Sequence, residues 1–176
     1  KNFFGKSYKF KNYSTKQLHQ ESDLFFDWYL PLIMKKKQAL KIKHILRKRL
    51  QALYKKLRFR NNIFVHRDFH SLNLMKIHNQ IGIIDSQDAI IGNPTYDLVS
   101  LVDDVRIKTS RKLKNNFFDY YLKKNSRNYR KKKEDFINDF NILSVQRSLK
   151  IIGIFSRLFK RDKKKRYLKL IPYTWK

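Results

Sequence analysis

Four polar residues between positions 66 and 85 have types and spacing that suit catalysis. They are His66, Asp68, Asn73 and Asp85, and the first three stand in the pattern H-R-D-x-x-x-x-N. Phosphoryl transfer needs a carboxylate that accepts a proton from the attacking hydroxyl, and oxygen ligands that hold Mg²⁺ on the nucleotide phosphates. In this spacing Asp68 is the candidate base, and Asn73 and Asp85 are the candidate metal ligands. The segment therefore predicts a site for phosphoryl transfer.

Short apolar segments must position these residues. Residues 63–65, 74–77 and 81–84 are too brief for helices and rich in β-branched side chains, so each predicts a strand. The stretch 78–80, His-Asn-Gln, suits a tight connection between the last two strands. Asn73 and Asp85 are thus expected at the two ends of one hairpin.

Helices are predicted on both sides of this segment. Ser14 or Thr15 is expected to cap a first helix, which Pro31 ends or kinks. A second helix follows from apolar residues at steps of three and four, all assigned to the core: Ile42, Ile45, Leu46, Leu50, Leu53 and Leu57. Further helical patterns cover 98–105, 117–122 and 136–159. The predicted fold class is α+β, a mainly helical domain with a small β insertion.

The composition excludes several classes of protein. The chain has 176 residues, of which 41% are hydrophobic, so it can bury a core. Its four glycines are too scattered for a P-loop or a dinucleotide-binding loop, and the absence of cysteine rules out disulfides, thiolate zinc sites and a cysteine nucleophile. No apolar run is long enough to cross a bilayer, so we expect no membrane partner and a cytoplasmic location.

The net charge of +28 has two interpretations. A surplus of cations favours salt-dependent binding of nucleic acid. The alternative is a compositional bias towards Lys, Asn, Ile, Phe and Tyr, with runs such as 35–37 and 131–133 forming solvated helix ends or loops. We favour the bias, although a basic surface still attracts polyanions nonspecifically.

Several segments resemble the aminoglycoside phosphotransferase and choline kinase-like enzymes, which share the protein-kinase fold. The resemblance is carried by VHRDFHSLNLM (65–75), IGIIDSQDAIIGNPTYDLVSLVDD (81–104) and, more distantly, ESDLFFDWYLP (21–31). Within that family the chain is most similar to bacterial anomeric amino-sugar kinases, a likeness that QRSLKIIGIFSRLFKRD (146–162) extends.

The resemblance implies a role for each matching position. Asp68 would be the catalytic base, Asn73 and Asp85 would hold Mg²⁺, His66 would hold the catalytic loop, and Asp97 would brace that loop from the next helix. Three positions depart from the family pattern: Ser86 replaces an aromatic residue, Leu72 an Arg, and Lys163 a frequent Gly. These departures weaken the assignment of the substrate and leave the base and metal positions intact.

For several other polar and aromatic residues, a structural role competes with a functional one. Glu21 and Asp27 could bind sugar hydroxyls, but surface capping is the favoured interpretation. We expect Trp28 and Tyr29 to pack in the core rather than to form a sugar platform. His70 is expected to pack and His78 to belong to the hairpin, since no cluster with zinc spacing accompanies them. The pair Asp103 and Asp104 is expected to support structure.

A kinase of this fold also needs an N-terminal lobe that grips the nucleotide phosphates through a loop and a strand lysine. The twenty residues before Glu21 are too few for such a lobe. Residues 1–176 are therefore interpreted as a C-terminal lobe, a fragment or one part of a split protein, and the chain alone is expected to be inactive.

The predicted function is ATP- and Mg²⁺-dependent phosphorylation of a sugar, at the anomeric hydroxyl of N-acetylmuramate or N-acetylglucosamine in cell-wall sugar recycling. The alternatives are a kinase of another small alcohol, such as choline or an aminoglycoside, and a basic nucleic-acid-binding protein with a vestigial kinase site.

Overall fold

The computed structural model describes residues 2–3, 6–7, 9–107, 109–125 and 127–175. It is mainly helical, with three antiparallel pairs of short strands in the described ranges, which confirms the predicted class. Both ends of the predicted 1–176 domain, Lys1 and Lys176, lie outside the described residues. In the described ranges no helix has the length and apolar character needed to cross a membrane.

The first long helix, α1 (Thr15–Leu24), begins where the capping pattern predicts. The Ser14 hydroxyl accepts a hydrogen bond from the Gln17 backbone N–H at 3.2 Å, and the Gln17 side chain accepts one from the Ser14 N–H at 2.8 Å. This reciprocal pair satisfies two backbone donors that the first turn would otherwise leave without partners. Of the two predicted caps, the structure therefore selects Ser14.

The helix continues beyond α1 through a π-helical turn (Phe25–Tyr29) into α2 (Leu30–Ile33). Pro31 is the second residue of α2, and it has no N–H to bond back to the π-helical turn before it. The change of backbone geometry therefore precedes Pro31, and the helix ends shortly after it.

Helix α3 (Lys36–Tyr54) confirms the second predicted helix but not all of its predicted core. Leu50 is buried, whereas Ile45 is 43% exposed, so its assignment to the core is wrong. Four further positions are only partly buried: Ile42, Leu46, Leu53 and Leu57. Leu57 also lies beyond the end of α3. The buried stripe of α3 is narrower than the stripe of apolar residues in its sequence, so the outer apolar residues stay partly or largely exposed.

The predicted strands form two separate sheets. The strands in chain order are β1 (Asn2–Phe3), β2 (Lys6–Ser7), β3 (Ile63–Val65), β4 (Leu74–Ile77), β5 (Gln80–Ile83) and β6 (Ile90–Gly92). β4 pairs with β5 through a turn at His78 and Asn79, so Gln80 belongs to the strand and not to the turn. β3 pairs with β6. The sequence analysis did not predict β6, because its apolar run is short and shows no alternation.

A long C-terminal helix organises the core. The remaining helices are α4 (Tyr96–Val102), α5 (Arg111–Lys124), α6 (Arg127–Lys131), α7 (Lys133–Lys160) and α8 (Ile171–Thr174). Helix α7 packs against α1, the π-helical turn, α4 and α8. At Gly153 it comes so close to the end of α1 that a Cβ atom would lie 2.3 Å from the Leu24 carbonyl carbon. α7 therefore joins the N-terminal helices to the segment that carries the candidate site.

Candidate active site

His66 and Asp97 fasten the loop between β3 and β4. The Asp97 carboxylate accepts hydrogen bonds from the backbone N–H groups of His66 (2.7 Å) and Arg67 (3.1 Å). The buried His66 ring places Nε2 3.0 Å from the Ile84 carbonyl, so this nitrogen is the one that carries the proton. Burial raises the pKa of Asp97, and the two backbone donors partly offset that rise. These are the contacts expected of residues that hold and brace a loop.

Asp68 lies at the turn of this loop with a half-buried side chain. Its backbone carbonyl accepts hydrogen bonds from the His70 N–H at 3.0 Å and from the Asn73 side-chain amide at 2.9 Å. Within the described part of the chain, its carboxylate has no hydrogen-bond partner. The backbone is thus held from two sides while the carboxylate remains able to accept a proton.

The hairpin brings Asn73 and Asp85 together, as the sequence predicted. The Asn73 side-chain nitrogen lies 3.5 Å from an Asp85 carboxylate oxygen, and the Ile84 N–H donates to the Asn73 carbonyl at 3.1 Å. Asn73 is buried, whereas Asp85 is exposed and adopts a left-handed backbone with φ of 69°. Gln87 donates to the other Asp85 oxygen at 2.6 Å.

This pair has the donor set of a magnesium site. The Asn73 amide directs its nitrogen to Asp68 and Asp85, and its Oδ1 accepts no hydrogen bond from the described residues. An amide oxygen and a carboxylate are hard ligands of the kind that Mg²⁺ prefers, and Mg²⁺ commonly takes only one or two such ligands from the protein. The residues present therefore fit the ion.

Asp104 makes a second attachment to the loop that carries Asp68. Its buried carboxylate accepts hydrogen bonds from the backbone N–H of Ser71 at 3.1 Å and from the Ser71 hydroxyl. Arg106 pairs with the other carboxylate oxygen at 3.1 Å. Burial opposes the charge of Asp104, but these partners together lower its pKa. The expected structural role of Asp104 is confirmed, because it holds the loop that carries Asp68.

Glu21 is not at the surface, so the expectation of a surface cap is wrong. It is 8% exposed, and both carboxylate oxygens are occupied. Arg67 and Tyr13 donate short hydrogen bonds to it, Gln146 donates at 3.0 Å, and the Lys150 ammonium lies 3.3 Å away. Burial raises the pKa of Glu21, yet Lys150, Tyr13 and Arg67 outweigh burial and lower it. These contacts leave no carboxylate oxygen of Glu21 free for a sugar hydroxyl.

Lys150 is a residue that the sequence analysis missed. Burial disfavours its charge, but Tyr96, Glu21 and Asp68 raise its pKa overall. It lies on the buried face of α7 with Gln146. Polar residues on the core-facing side of a long helix were the signal that could have found it, because such residues are buried only when they are paired.

Asp27 is exposed and forms an ion pair with Lys43 at 2.6 Å across two helices. No contact within the described ranges links Asp27 to the loop of Asp68, and its favoured surface role is consistent with this pair.

Tyr29 packs beside Phe25 with ring centroids 5.1 Å apart, and Trp28 is half-buried. The π-helical turn therefore stands apart from the candidate site.

The two histidines flanking the site match their predicted roles. His78 occupies the hairpin turn with φ of 51°, and His70 is half-buried with a pKa lowered by burial. Among the residues that the structure describes, no group of three or more His, Cys, Asp or Glu side chains could hold a metal ion.

A cavity of about 650 Å³ opens beside Asp104. Its wall is formed by the segment after α4, the start of α5, the middle of α7 and the end of α8. It includes Ser144, Ser148 and Tyr173. Asp104, which lines the cavity, is bonded to Ser71 in the loop that carries Asp68.

A family model described as a phosphotransferase enzyme family matches residues 13–134. The match includes the loop, the hairpin and all of α4 and α5. The chain belongs to this family. All five residues that build the candidate site, His66, Asp68, Asn73, Asp85 and Asp97, fall within the part matched to the phosphotransferase family.

Curated relatives carry a more specific name. The chain is 31% identical over 163 residues to an N-acetylmuramate/N-acetylglucosamine kinase of Neisseria meningitidis, and 32% identical over 167 residues to one of Pseudomonas aeruginosa. Each alignment covers 91% of this chain but only 49% and 48% of the relative. The chain thus spans about half the length of the curated relatives it matches.

Proposed function

We propose that this chain carries the acceptor-side and metal-binding part of a phosphotransferase that moves the γ-phosphoryl group of ATP to a sugar hydroxyl. The observation that carries the proposal is the cluster of Asp68, Asn73 and Asp85 in a chain of the phosphotransferase family. The names of the relatives suggest the acceptor sugar, N-acetylmuramate or N-acetylglucosamine. The resemblance to anomeric amino-sugar kinases extends the proposal to the anomeric hydroxyl. Cell-wall sugar recycling is the process that this acceptor indicates.

Asp68 is the proposed base. The acceptor oxygen attacks the γ-phosphorus, ADP leaves with the electron pair of the broken bond, and the hydroxyl proton passes to the Asp68 carboxylate. That carboxylate has no hydrogen-bond donor in the described part of the chain, so it can face the hydroxyl. Asp97 holds the backbone of the two residues before Asp68, and Asn73 holds the Asp68 carbonyl, which together orient the base before the acceptor arrives.

Asn73 and Asp85 are the proposed ligands of Mg²⁺. A bound Mg²⁺ would neutralise charge on the nucleotide phosphates and hold them in place. Asn73 contributes its amide oxygen and Asp85 its carboxylate. The backbone bonds of the hairpin hold both residues in position before the ion binds.

The proposal also requires a second lobe that binds the nucleotide phosphates. In this proposal residues 1–176 act as a C-terminal lobe, in keeping with a chain that spans about half the length of its curated relatives. We propose that a further segment or a separate chain supplies the grip on the phosphates. The 176-residue chain alone should then transfer phosphate at no measurable rate, because orientation of the nucleotide would depend on that further segment or chain.

The direct test is phosphate transfer by the protein together with any further coding sequence. With Mg²⁺ and ATP, N-acetylglucosamine or N-acetylmuramate should yield a sugar phosphate and ADP, and methylation of the anomeric oxygen should abolish transfer. Asp68→Asn should lower kcat about a hundredfold or more with little change in nucleotide binding. Asp162→Asn, which alters a partly exposed carboxylate paired with Arg161, is the matched control.

Two results would contradict the proposal. One is phosphorylation of choline or kanamycin but of neither amino sugar. The other is an Asp68→Asn variant with near wild-type turnover. A short chain that matched the turnover of the longer protein would refute only the proposed second lobe.

A further inference from the structure

Arg67 has a left-handed backbone, with φ of 72°, directly before the proposed base Asp68. This conformation is costly for a long side chain, and it persists only where the surrounding contacts hold it. The Asp97 carboxylate binds the Arg67 N–H, and the Asn73 amide binds the Asp68 carbonyl. Between these two fixed points the chain can rotate about the backbone dihedrals of Arg67. The direction of Asp68 therefore depends on what holds Arg67 in its conformation.

The Arg67 side chain is anchored on two sides. Its Nη2 atom forms an ion pair with Glu21 on α1, and its Nη1 atom donates to the Asp88 carbonyl at 3.3 Å. The guanidinium carbon also lies 5.7 Å from the centre of the Tyr13 ring, within the range of a cation–π contact. Asp88 belongs to the segment that follows the proposed metal ligand Asp85. Arg67 thus links the loop of the base to the metal side of the site and to the helical core.

Glu21 is held in turn by the long C-terminal helix. Gln146 and Lys150 of α7 contact its carboxylate at 3.0 and 3.3 Å. The side chains of Glu21 and Lys150 are each 10% exposed and that of Arg67 is 19% exposed, so salt and water screen these ion pairs only weakly. A buried carboxylate that α7 holds in place gives the Arg67 guanidinium one defined position. The helical core therefore reaches the base through Glu21 and Arg67.

We propose that Glu21 is a positioning residue for phosphate transfer: it holds Arg67, and Arg67 sets the direction of Asp68 and its separation from the metal side. The inference rests on the proposed function for the role of Asp68 as the base. In it, neither Glu21 nor Arg67 touches the sugar or the nucleotide. It gives the buried Glu21 network a role in the reaction as well as in stability.

Amide hydrogen exchange tests the positioning without any catalysis. The His70 N–H donates to the Asp68 carbonyl at 3.0 Å, so its exchange rate reports how firmly the loop holds the base. Glu21→Gln and Arg67→Gln should each accelerate exchange at His70 about tenfold more than at the amides of β4 and β5. The comparison with the hairpin separates local release of the loop from general loss of stability.

Turnover of the protein together with any further coding sequence gives the second readout. Arg67→Gln should lower kcat about tenfold and leave KM for ATP and for the sugar little changed, because it misdirects the base without removing a substrate contact. Arg67→Lys keeps a cation that can pair with Glu21, so it should retain part of the turnover that Arg67→Gln loses. A residue that only stabilised the fold would change the unfolding temperature and leave kcat unaltered at lower temperatures.

Asp23→Asn is the matched control for Glu21→Gln. Asp23 is a second carboxylate of α1, and it pairs with Arg47 of α3 at 3.3 Å. No contact within the described ranges joins this pair to the loop of Asp68. Asp23→Asn should therefore preserve both kcat and the relative exchange rate at His70.

The outcomes separate this inference from the proposed function. Transfer with near wild-type kcat in Arg67→Gln would leave the function standing and refute the inference. Equal acceleration at His70 in Arg67→Gln and Asp23→Asn would refute it as well, since it would indicate general destabilisation. If Glu21→Gln does not fold, the two Arg67 variants decide. Specific release of His70 in a protein that transfers no phosphate would refute the function and retain the hold of Glu21 on the loop.

Discussion

Asp85 combines an exposed carboxylate with a left-handed backbone, which most side chains adopt at a cost. Asp and Asn tolerate this conformation better than other residues, so Asp85→Asn removes the charge with little added strain. We predict that this variant needs about ten times more Mn²⁺, used as a paramagnetic substitute for Mg²⁺, to broaden the amide resonances of the hairpin. Asn73→Ala should have a smaller effect, because it removes a neutral ligand. Unchanged broadening in Asp85→Asn would contradict the metal assignment.

Arg67 and Lys150 both pair with the Glu21 carboxylate. Removal of the Glu21 charge should therefore cost more stability than removal of the Lys150 charge. Glu21→Gln leaves both cations in a largely buried environment without an anion between them, and should lower the free energy of unfolding by about 3–5 kcal/mol. Lys150→Met leaves Glu21 paired with Arg67 and bonded to Gln146, so its cost should be clearly smaller. Urea unfolding of both variants measures the difference. Equal costs would show that the network does not centre on Glu21.

The same carboxylate makes a pH-dependent contribution to stability. The pKa of Glu21 is lower in the folded protein than its ordinary value of 4.5, so the folded state binds fewer protons than the unfolded state in this range. Its stabilising contribution is complete above about pH 4.5 and is lost as the pH falls through the folded pKa. The stability difference between the unaltered protein and Glu21→Gln should therefore shrink below pH 4.5. A difference that stayed constant down to pH 3 would contradict this assignment.

At the scale of the elements, Gly153 sets the distance between α7 and the end of α1. A methyl group there would meet backbone atoms, which cannot move aside without shifting a helix. Gly153→Ala should therefore lower the free energy of unfolding by about 2 kcal/mol or more. Gly82→Ala is the control, because its nearest neighbour is the flexible end of Ile77, and it should cost less. A silent Gly153→Ala variant would refute the close helix approach.

The backbone at the end of α7 favours glycine at position 163, where this chain has Lys163 in place of the family's frequent Gly. This residue follows the helix with φ of 57°, and the Lys164 N–H bonds back to the Leu158 carbonyl at 3.1 Å. Glycine is favoured at such a helix end because it has no Cβ atom. Lys163→Gly should thus stabilise the protein by up to about 1 kcal/mol, whereas Lys164→Gly, at φ of −83°, should destabilise it. Thermal unfolding of the two variants distinguishes these signs.

At the scale of the whole molecule, the charge of +28 should produce strong but nonspecific binding of polyanions. The lysines at 35–37 and 131–133 are exposed at helix ends, which confirms their predicted placement. Affinity for duplex DNA should fall about a thousandfold or more between 50 and 200 mM salt, without sequence preference. Replacement of Lys35–Lys37 by Gln should reduce the salt dependence. Tight, sequence-selective binding at physiological salt would instead favour the nucleic-acid-binding alternative.

The sequence by itself determined the elements whose signals are local. The start of α1 near Ser14 and Thr15, the two strands of the β4–β5 hairpin and the helical course of α7 follow from capping chemistry and from the spacing of neighbouring residues. The H-R-D-x-x-x-x-N spacing likewise predicts that Asp68, Asn73 and Asp85 converge. A loop and a hairpin of fixed length leave few other arrangements for these side chains.

Only the tertiary structure decided which residues meet across long separations in the chain. Glu21 is buried because α7 brings Gln146 and Lys150 to it, and Asp104 reaches Ser71 because α4 packs beside the loop. Strand β6 exists through its pairing with β3, and Ile45 is exposed because nothing in the described structure covers that side of α3. Periodicity reports which face of an element is apolar. It does not report which partner covers that face, since that depends on contacts between residues tens of positions apart.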